Sequence, residues 1–338
     1  MAHMTGEELS LDEFDRFPDG LATIELENLN RVLVNPTLLS ITGEKDPPLF
    51  LSTLLHGNET SSFTLLQELA QRYADRPPSR SLLIFVGNPA AAAAGVRYLP
   101  GQADFNRIWG GGEGPHHRIA DRVMERARRA AIYASIDIHN NTGDNPIYGC
   151  VNALRPVDLY LASLFSDIGV FYLNPPTTQS IAFSHLAPAI TVECGRSGDS
   201  AGLAAARNLI DVVMDGDVLA APPRAARPTS IYQTIGRVTV NQECDVGFGD
   251  PAATVNLRPD MEAMNFKPMP KGAPWGATRR TDAIAVVNEH GGDITDDFFV
   301  IDDGVIRSTR AVTPSMITTD LSVIQQDCLC YLMTKIDL

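Results

Sequence analysis

One pair of residues near the start of the chain could bind a metal ion. In STLLHGNETSSF, residues 52–63, His56 and Glu59 stand three apart where an apolar run gives way to a polar segment. Spacing alone does not decide, because 7 histidines and 41 acidic residues among 338 give about one such His-x-x-acid pair by chance. The chain has two. The second pair, His290 and Asp293 in NEHGGD, is interpreted as part of a solvated glycine-rich turn.

Position separates the first pair from the second. Three predicted strands end on side chains suited to metal chemistry: PLFLSTLL at His56, ASIDI at His139 and APAITV at Glu193, while SLLIFVG is followed by Asn88. In a doubly wound sheet, sites gather beyond the carboxyl ends of the strands. We therefore predict that His56, Glu59 and His139 bind one zinc ion per chain, since two histidines and one carboxylate form a catalytic zinc complement with an open fourth position.

Two further carboxylates accompany the predicted ligands. Asp137 lies two residues before His139 on a predicted strand, so both project to one face and the carboxylate could orient the imidazole. A strand-end salt bridge explains Asp137 equally well. Glu193 is placed to act as general base on a zinc-activated water. The alternative interpretation is that Glu193 is a buried structural residue paired with an arginine.

Polar residues cluster in the loop GVRYLPGQADFNRIW. Arg97 could polarise a carbonyl group, and Asn106 with Arg107 could clamp a carboxylate. Taken singly, each is an ordinary polar loop residue. The other histidines have no comparable setting and are predicted to be surface or core residues: His116, His117 and His185. The first three residues, before Met4, are interpreted as vector-derived, so His3 is excluded.

These residues require a scaffold of alternating strands and helices. Between about residues 21 and 216, apolar runs alternate with helical patterns at residues 59–73, 115–131, 157–166 and 203–214. The strand-like runs are PLFLSTLL, SLLIFVG, ASIDIH, GVFYL and PAITVEC. This alternation predicts a mainly parallel sheet with helices on both faces. The short NPAAAAAG is interpreted as a helical turn or a tight loop.

A change in the sequence pattern, from alternating strand-like and helical segments to short β-rich runs, predicts a second domain. The segment AAPPRAARPTS, residues 220–230, has prolines and no periodicity, and we place the boundary there. Beyond it, SIYQTIGRVTV, ATVNL, DAIAVV, DFFVI and GVIR are short and β-rich. We predict a catalytic domain at residues 1–220 and a smaller, antiparallel β domain at residues 221–338.

Composition excludes several classes of protein. The net charge is −14 and the basic residues are scattered, so no nucleic-acid partner is expected. No apolar run approaches the ~18 residues that a membrane span requires, and the N-terminal segment is acidic, so we expect a cytoplasmic protein without a membrane partner. The five cysteines show no C-x-x-C spacing, which favours reduced thiols. Self-association is left open.

Four segments together resemble a known family. HGNET, GNPAAAAAGVRYLPGQADFNRIW, IDIHNNTGDN and AITVECG, in this order, are similar to the succinylglutamate desuccinylase and aspartoacylase family, relatives of the zinc carboxypeptidases. NLRPDMEAMNFKPMPKGAPW resembles that family's second-domain segment, so about three quarters of the chain is covered. The resemblance implies a zinc carboxypeptidase-like α/β fold and hydrolysis of an N-acyl amino acid to a carboxylate and a free amine.

The resemblance also implies a role for each matched residue. It implies zinc bound by His56, Glu59 and His139, with Glu193 as base and proton shuttle. Arg97 would stabilise the tetrahedral oxyanion. The α-carboxylate of the substrate would be held by the residues of the Asn-Arg pair, Asn106 and Arg107.

The sequence departs from the family pattern at three places. The spacer between Arg97 and Asn106 is about two residues longer, through PGQ. Where aspartoacylases have an arginine for the acidic side chain, TTQSIAF offers Gln179, which predicts a substrate without a second carboxylate on its amino acid. No tyrosine lies between Tyr232 and Tyr331 to match the family's second-domain tyrosine.

Three functions therefore remain open. The first is an N-acyl amino acid amidohydrolase. The second is a metallopeptidase acting at peptide C-termini, and the third is a non-catalytic binding protein with the same fold. The metal and base positions favour an enzyme. The sequence leaves open which acyl group and amino acid are used, which metal is loaded and whether the second domain roofs the site.

Overall fold

The computed structural model describes residues 9–223 and 225–338. The remaining residues, which include His3, lie outside the described part. The chain forms two compact units. The first comprises the described residues up to Asn140 together with Tyr148–Asp167 and Pro175–Pro228, and the second comprises Asn141–Ile147, Ile168–Asn174 and Thr229–Leu338.

The elements are numbered in chain order. The strands are β1 Asp12–Phe14, β2 Thr37–Ile41, β3 Leu49–Thr53, β4 Leu82–Val86, β5 Ala134–Asn141, β6 Tyr148–Val151, β7 Ile168–Phe171, β8 Ala189–Arg196, β9 Ser230–Val240, β10 Val246–Phe248, β11 Val255–Leu257, β12 Pro274–Thr278, β13 Ile284–Val287, β14 Phe299–Asp302, β15 Val305–Ser308, β16 Thr313–Ser315 and β17 Cys330–Ile336. The helices are α1 Ser61–Arg72, α2 Pro89–Ala93, α3 Pro115–Arg129, α4 Pro156–Phe165, α5 Gln179–Ser184, α6 Ser200–Asp215, α7 Thr295–Phe298 and α8 Leu321–Gln326, with 3-10 helices at Leu26–Arg31 and Met261–Met264.

A mixed, mainly parallel sheet forms the centre of the first unit. Its strands follow the order β1-β2-β4-β3-β5-β8-β6. Strand β3 is parallel to both β4 and β5, whereas β2 is antiparallel to β4 and β6 is antiparallel to β8. The runs LFLST and LLIFV are buried along their whole length, as expected for strands covered on both faces. The predicted α/β fold class is confirmed.

Helices cover this sheet through apolar stripes. On α3, Ile119, Val123 and Ala127 recur at helical spacing and pack in one core cluster with Phe50 and Phe85 of the sheet. Helices α1, α6 and α4 contact one another in that order. The short run after Asn88 is helix α2, and the Asn88 side chain caps it by accepting from the Ala91 N–H at 3.1 Å.

The second unit is built mainly from β-strands. Strand β9 coincides with SIYQTIGRVTV and pairs antiparallel with β17 and β13 and parallel with β7. A separate five-stranded sheet has the order β10-β11-β12-β15-β14. The antiparallel prediction holds for most of these pairs and is wrong for β10 with β11, which are parallel. The run GVFYL, predicted as a strand of the first domain, forms β7, which belongs to the second unit and is parallel to β9.

Two further features bear on the composition arguments. The five cysteines are buried free thiols, as predicted. Within residues 9–223 and 225–338, none of the helices combines the length and the apolar character that crossing a membrane requires.

Candidate metal centre

Three predicted ligands converge in the first unit. His56 follows strand β3, Glu59 lies just before helix α1, and His139 is on strand β5. The His56 Nδ1 atom is 2.6 Å from Glu59 Oε1, and His139 Nδ1 is 2.7 Å from Glu59 Oε2. All three side chains are buried, and one candidate ligand atom from each lies within 4.8 Å of the others. In the described part of the chain, this is the group of histidine, cysteine and acidic residues that could hold a metal ion.

Each imidazole is anchored through its other nitrogen by an aspartate. The Nε2 atom of His56 is 3.1 Å from Asp104 Oδ1, and the Nε2 atom of His139 is 2.9 Å from Asp137 Oδ2. Asp137 also accepts a hydrogen bond from the Ser52 hydroxyl at 2.6 Å. A carboxylate on Nε2 fixes the tautomer that leaves Nδ1 free to bind a metal. The residues therefore fit a metal ion with two nitrogen ligands and one oxygen ligand.

Asp104 is the member of this arrangement that the sequence reasoning missed. Its carboxylate accepts from the Asn106 N–H at 2.7 Å and pairs with Arg97 Nη2 at 3.2 Å, besides contacting His56. Burial opposes ionisation of Asp104, but His56, Arg97 and Arg107 outweigh it, and the pKa of the carboxyl lies well below its usual value. Asp104 therefore links the ligand His56 to the polar loop that carries Arg97.

The charges of the cluster are set by mutual contact. Burial opposes ionisation of Glu59, yet the adjacent His56 and His139 rings hold the pKa of this carboxyl far below its usual value. Burial alone would lower the pKa of His139, but the Asp137 and Glu59 carboxylates raise it well above the usual value. Glu59 is thus ionised and ready to act as a ligand, and a metal ion competes with a proton at His139.

Glu193 lies in the same buried region. It is on strand β8, directly opposite Tyr148 of β6, and is 7% exposed. Burial raises the pKa of Glu193 to about 7, with Glu59 and Asp137 adding to the increase and His139 opposing it. A carboxyl group with a pKa near neutrality can both accept and release a proton at physiological pH.

The residues of the polar loop that are predicted to act on substrate differ in how directly they contact the metal cluster. The guanidinium of Arg97 reaches within 3.8 Å of Glu59 Oε1. The side-chain nitrogen of Asn106 is 3.3 Å from His139 Nε2, and its side-chain oxygen accepts from the Gln179 N–H at 2.9 Å. Arg107 donates to the main-chain oxygen of Asn106 at 2.9 Å. Arg97 and Asn106 therefore contact residues of the metal cluster, and Arg107 contacts Asn106.

Gln179, which is predicted to contact substrate, has a buried side chain. The residue begins helix α5, its side chain is 0% exposed, and its amide nitrogen donates to Ser135 Oγ at 3.0 Å. The side chain is thus buried against Ser135, and its contact with substrate stays a prediction. What Gln179 offers the site is its main-chain N–H, which holds the Asn106 side chain.

The other histidines of the described residues lie outside the cluster. The His290 side chain is 84% exposed and its ring faces the adjacent Glu289 at 3.6 Å. The ring of His116 packs edge-on against Phe105, and His117 contacts the main-chain oxygen of Ile108 at 3.0 Å. His185 is exposed at the end of α5.

Comparison with known proteins gives one family. Residues 45–212 match the model of the succinylglutamate desuccinylase/aspartoacylase catalytic domain. A curated relative is the succinylglutamate desuccinylase of Serratia proteamaculans (strain 568), which is 28% identical over 209 residues, covering 54% of this chain and 63% of the relative. The match therefore spans less than two thirds of the length of that relative.

Solved structures share the fold. The succinylglutamate desuccinylase of Vibrio parahaemolyticus superposes with a TM-score of 0.59 at 15% identity, covering 89% of this chain and 86% of that one. Murine aminoacylase 3 gives a TM-score of 0.56 at 18% identity, covering 87% of this chain and 97% of the other. At these identities the likeness establishes a common fold for the chain.

Proposed function

We propose that this chain, which belongs through residues 45–212 to the succinylglutamate desuccinylase/aspartoacylase family, is a zinc-dependent amidohydrolase that removes the acyl group from an N-acyl amino acid. One observation carries the proposal. Two imidazoles turn their Nδ1 atoms toward Glu59, while aspartates hold both Nε2 atoms. A catalytic domain at residues 1–220 and a β-rich domain at residues 221–338 are part of the same proposal.

Zinc is the ion that this donor set favours. His56, Glu59 and His139 would hold it, since two histidines and one glutamate are a ligand set found in catalytic zinc sites. When bound, zinc polarises a carbonyl group and makes water a nucleophile near neutral pH. Asp104 and Asp137 would keep both rings in the tautomer that offers Nδ1.

Glu193 would move the proton that amide hydrolysis requires. Water attacks the acyl carbon and loses one proton to the Glu193 carboxylate. The C–N bond then breaks, and the same proton passes from Glu193 to the departing nitrogen, so that a carboxylic acid and an amine are released. The pKa of about 7 that burial gives this carboxyl suits both transfers.

The polar loop would recognise the charges of the substrate. Arg97, which is 3.8 Å from Glu59 Oε1, would stabilise negative charge developing on the acyl oxygen. Asn106 and Arg107 would bind the α-carboxylate, because a planar guanidinium and an amide together can hold both of its oxygens. The Gln179 N–H orients Asn106 for this contact. Position 179 brings no positive charge, which favours an amino acid with a neutral side chain.

A hydrolysis screen tests the proposal. Zinc-reconstituted protein is incubated with acetyl, succinyl and longer acyl amino acids, and with matched dipeptides and tripeptides that have free C-termini. We expect release of free amino acid from at least one acyl amino acid and slower release from peptides. Faster cleavage of peptides would favour a carboxypeptidase, and the absence of all turnover would favour a binding protein.

A further inference from the structure

Asn140 joins three elements around the candidate metal centre. It follows His139 at the end of β5 and is 5% exposed. Its side-chain oxygen accepts from the Ser61 N–H at 3.0 Å, and its side-chain nitrogen donates to Ser61 Oγ at 2.9 Å and to the main-chain oxygen of Gly195 at 3.0 Å. Its own N–H donates to Glu59 Oε2 at 3.1 Å. The side chain thus ties the start of α1 to the end of β8.

The contact with α1 replaces a missing cap. The N-cap residue Thr60 makes no side-chain hydrogen bond to the first turn of the helix. The first N–H groups of a helix have no partner inside the helix and must be satisfied from elsewhere. The side-chain oxygen of Asn140 satisfies the N–H of Ser61, only two residues after the predicted ligand Glu59. Asn140 therefore fixes the helix start that carries this ligand.

The contact with β8 lies equally close to the candidate base. Gly195 is two residues after Glu193 and has a φ of +72°, a conformation in which glycine is not strained. Its carbonyl is held by the Asn140 side chain, which also holds Ser61. One amide group therefore spans the segments that present the ligand Glu59 and the base Glu193.

We infer that Asn140 is a positioning residue, which sets the distance between the metal cluster and the carboxylate of Glu193. The inference rests on the proposed function, in which zinc held by Glu59 and the carboxylate of Glu193 serve the same acyl group. Proton transfer is sensitive to such a distance, because displacement of a reacting group by about 1 Å can cost ~100-fold in rate. A merely structural asparagine would instead affect stability while the folded enzyme kept its turnover.

The test compares two variants at position 140 with a neighbouring control. Asn140→Ala removes the side-chain hydrogen bonds to Ser61 and Gly195, while the main-chain N–H that contacts Glu59 remains. Asn140→Asp keeps the acceptor for Ser61 and loses the donor to Gly195, and it serves if the alanine variant does not fold. Ser61→Ala is the control, since it deletes one hydroxyl contact and leaves the bond to Gly195 intact.

If Asn140 is a positioning residue, its variants and the Ser61→Ala control should differ both in turnover and in hydrogen exchange. At equal zinc content, kcat of Asn140→Ala and of Asn140→Asp falls by about 10- to 100-fold with KM within about threefold, the range seen for outer-shell partners. Ser61→Ala stays within about threefold of the parent. In metal-free protein, amide hydrogen exchange at residues 189–196 accelerates in the Asn140 variants and not in the control.

Two results would overturn the inference. One is turnover of both Asn140 variants within about threefold of an active parent at equal zinc content, the range set for the control. The other is unchanged exchange at residues 189–196 in both variants. If the parent hydrolyses no acyl amino acid, the proposed function fails, and the exchange measurement still decides whether Asn140 holds β8 to α1.

Discussion

Two His-x-x-acid pairs with the same spacing have different surroundings in this molecule. His56 and Glu59 are buried in the first unit, 2.6 Å apart, with a second histidine on the same carboxylate. His290 and Asp293 are in an exposed turn of the second unit. There the Asp293 carboxylate accepts from the N–H and the hydroxyl of Thr295. The first pair can present a shared metal site, whereas the second closes a loop.

The difference lies in the groups around each pair. Behind His56 stands Asp104, and behind His139 stands Asp137, so each ring has a fixed orientation. The ring of His290 faces the solvent-exposed Glu289 at 3.6 Å. Contacts between exposed charges are weak because water competes for them. Burial and outer partners, rather than spacing, distinguish a candidate metal site from a turn.

The largest expected effect on the comparison of the two pairs comes from removing Glu193, the candidate base beside the buried pair. Glu193→Gln keeps the volume of the side chain and deletes its proton-accepting oxygen. We expect kcat to fall by at least ~100-fold, the lower end of the contribution of a general base, while zinc content is retained and the melting temperature does not fall. Steady-state kinetics with metal analysis measure this. If Glu193 were instead the structural partner of an arginine, stability would fall and turnover per folded chain would persist.

The next largest effect is expected from the aspartates that hold the Nε2 atoms of the two ligand histidines. Asp104→Asn leaves a hydrogen-bonding side chain beside His56 but removes the charge, and we expect zinc affinity or activity to fall by about 10- to 100-fold. Competition with a chelator measures the affinity. Asp293→Asn in the exposed pair is the matched control and should change neither quantity. Equal responses of the two variants would erase the distinction between the pairs.

The third effect is a pH dependence of the free energy of unfolding that comes from the Glu193 carboxyl. Because burial raises the pKa of Glu193 from 4.5 to about 7, the folded protein binds a proton there more tightly than the unfolded chain does. The contribution of this group is present below about pH 4.5 and is lost as pH rises to about 7, a difference of about 3 kcal/mol. Metal-free Glu193→Gln should therefore gain stability over the parent across this window.

Denaturant unfolding in the presence of a chelator, repeated at pH 4.5, 6 and 7.5, checks that prediction. The Gln variant and the parent should converge at the acidic end and separate as pH rises. A constant difference at all three pH values would mean that the Glu193 carboxyl titrates normally in the folded protein.

Substrate charge gives the smallest expected effect. Position 179 supplies an amide whose side chain faces Ser135, so an aspartate side chain on the substrate would be desolvated without a cation from this position. We expect kcat/KM for neutral N-acyl amino acids to exceed that for N-acetylaspartate by about 10-fold, comparable to one polar contact. The reverse preference would direct attention to Arg196, which is exposed at the end of β8.

Sequence predicted the elements and the cluster for a common physical reason. The runs that lead to His56, His139 and Glu193 are buried and largely apolar, and in a sheet of this class the carboxyl ends of the strands lie along one edge. Residues 54 to 137 positions apart in the chain could therefore be expected together. Strand β6, Tyr148–Val151, escaped prediction because its run YGCV contains a glycine, which is depleted in strands; it pairs antiparallel with β8.

The side-chain partners could not be predicted in the same way. Asp104 is one of 41 acidic residues, and its contact with His56 bridges 48 positions through an irregular loop. Gln179 was assigned to the substrate from its place in TTQSIAF, but the first turn of α5 directs its side chain inward to Ser135. Asn140 likewise acquires its role only when α1, β5 and β8 meet. Backbone periodicity contains no information about these contacts.

Zinc titration of metal-free protein tests the central claim most directly. The parent should bind one zinc ion per chain and regain hydrolytic activity in proportion, reaching its maximum at one equivalent. His139→Ala should lose stoichiometric binding because it deletes one of the three ligands, whereas His290→Ala, in the exposed pair, should match the parent. Stoichiometric, tight zinc binding by His139→Ala, or full activity of the metal-free parent, would contradict the account.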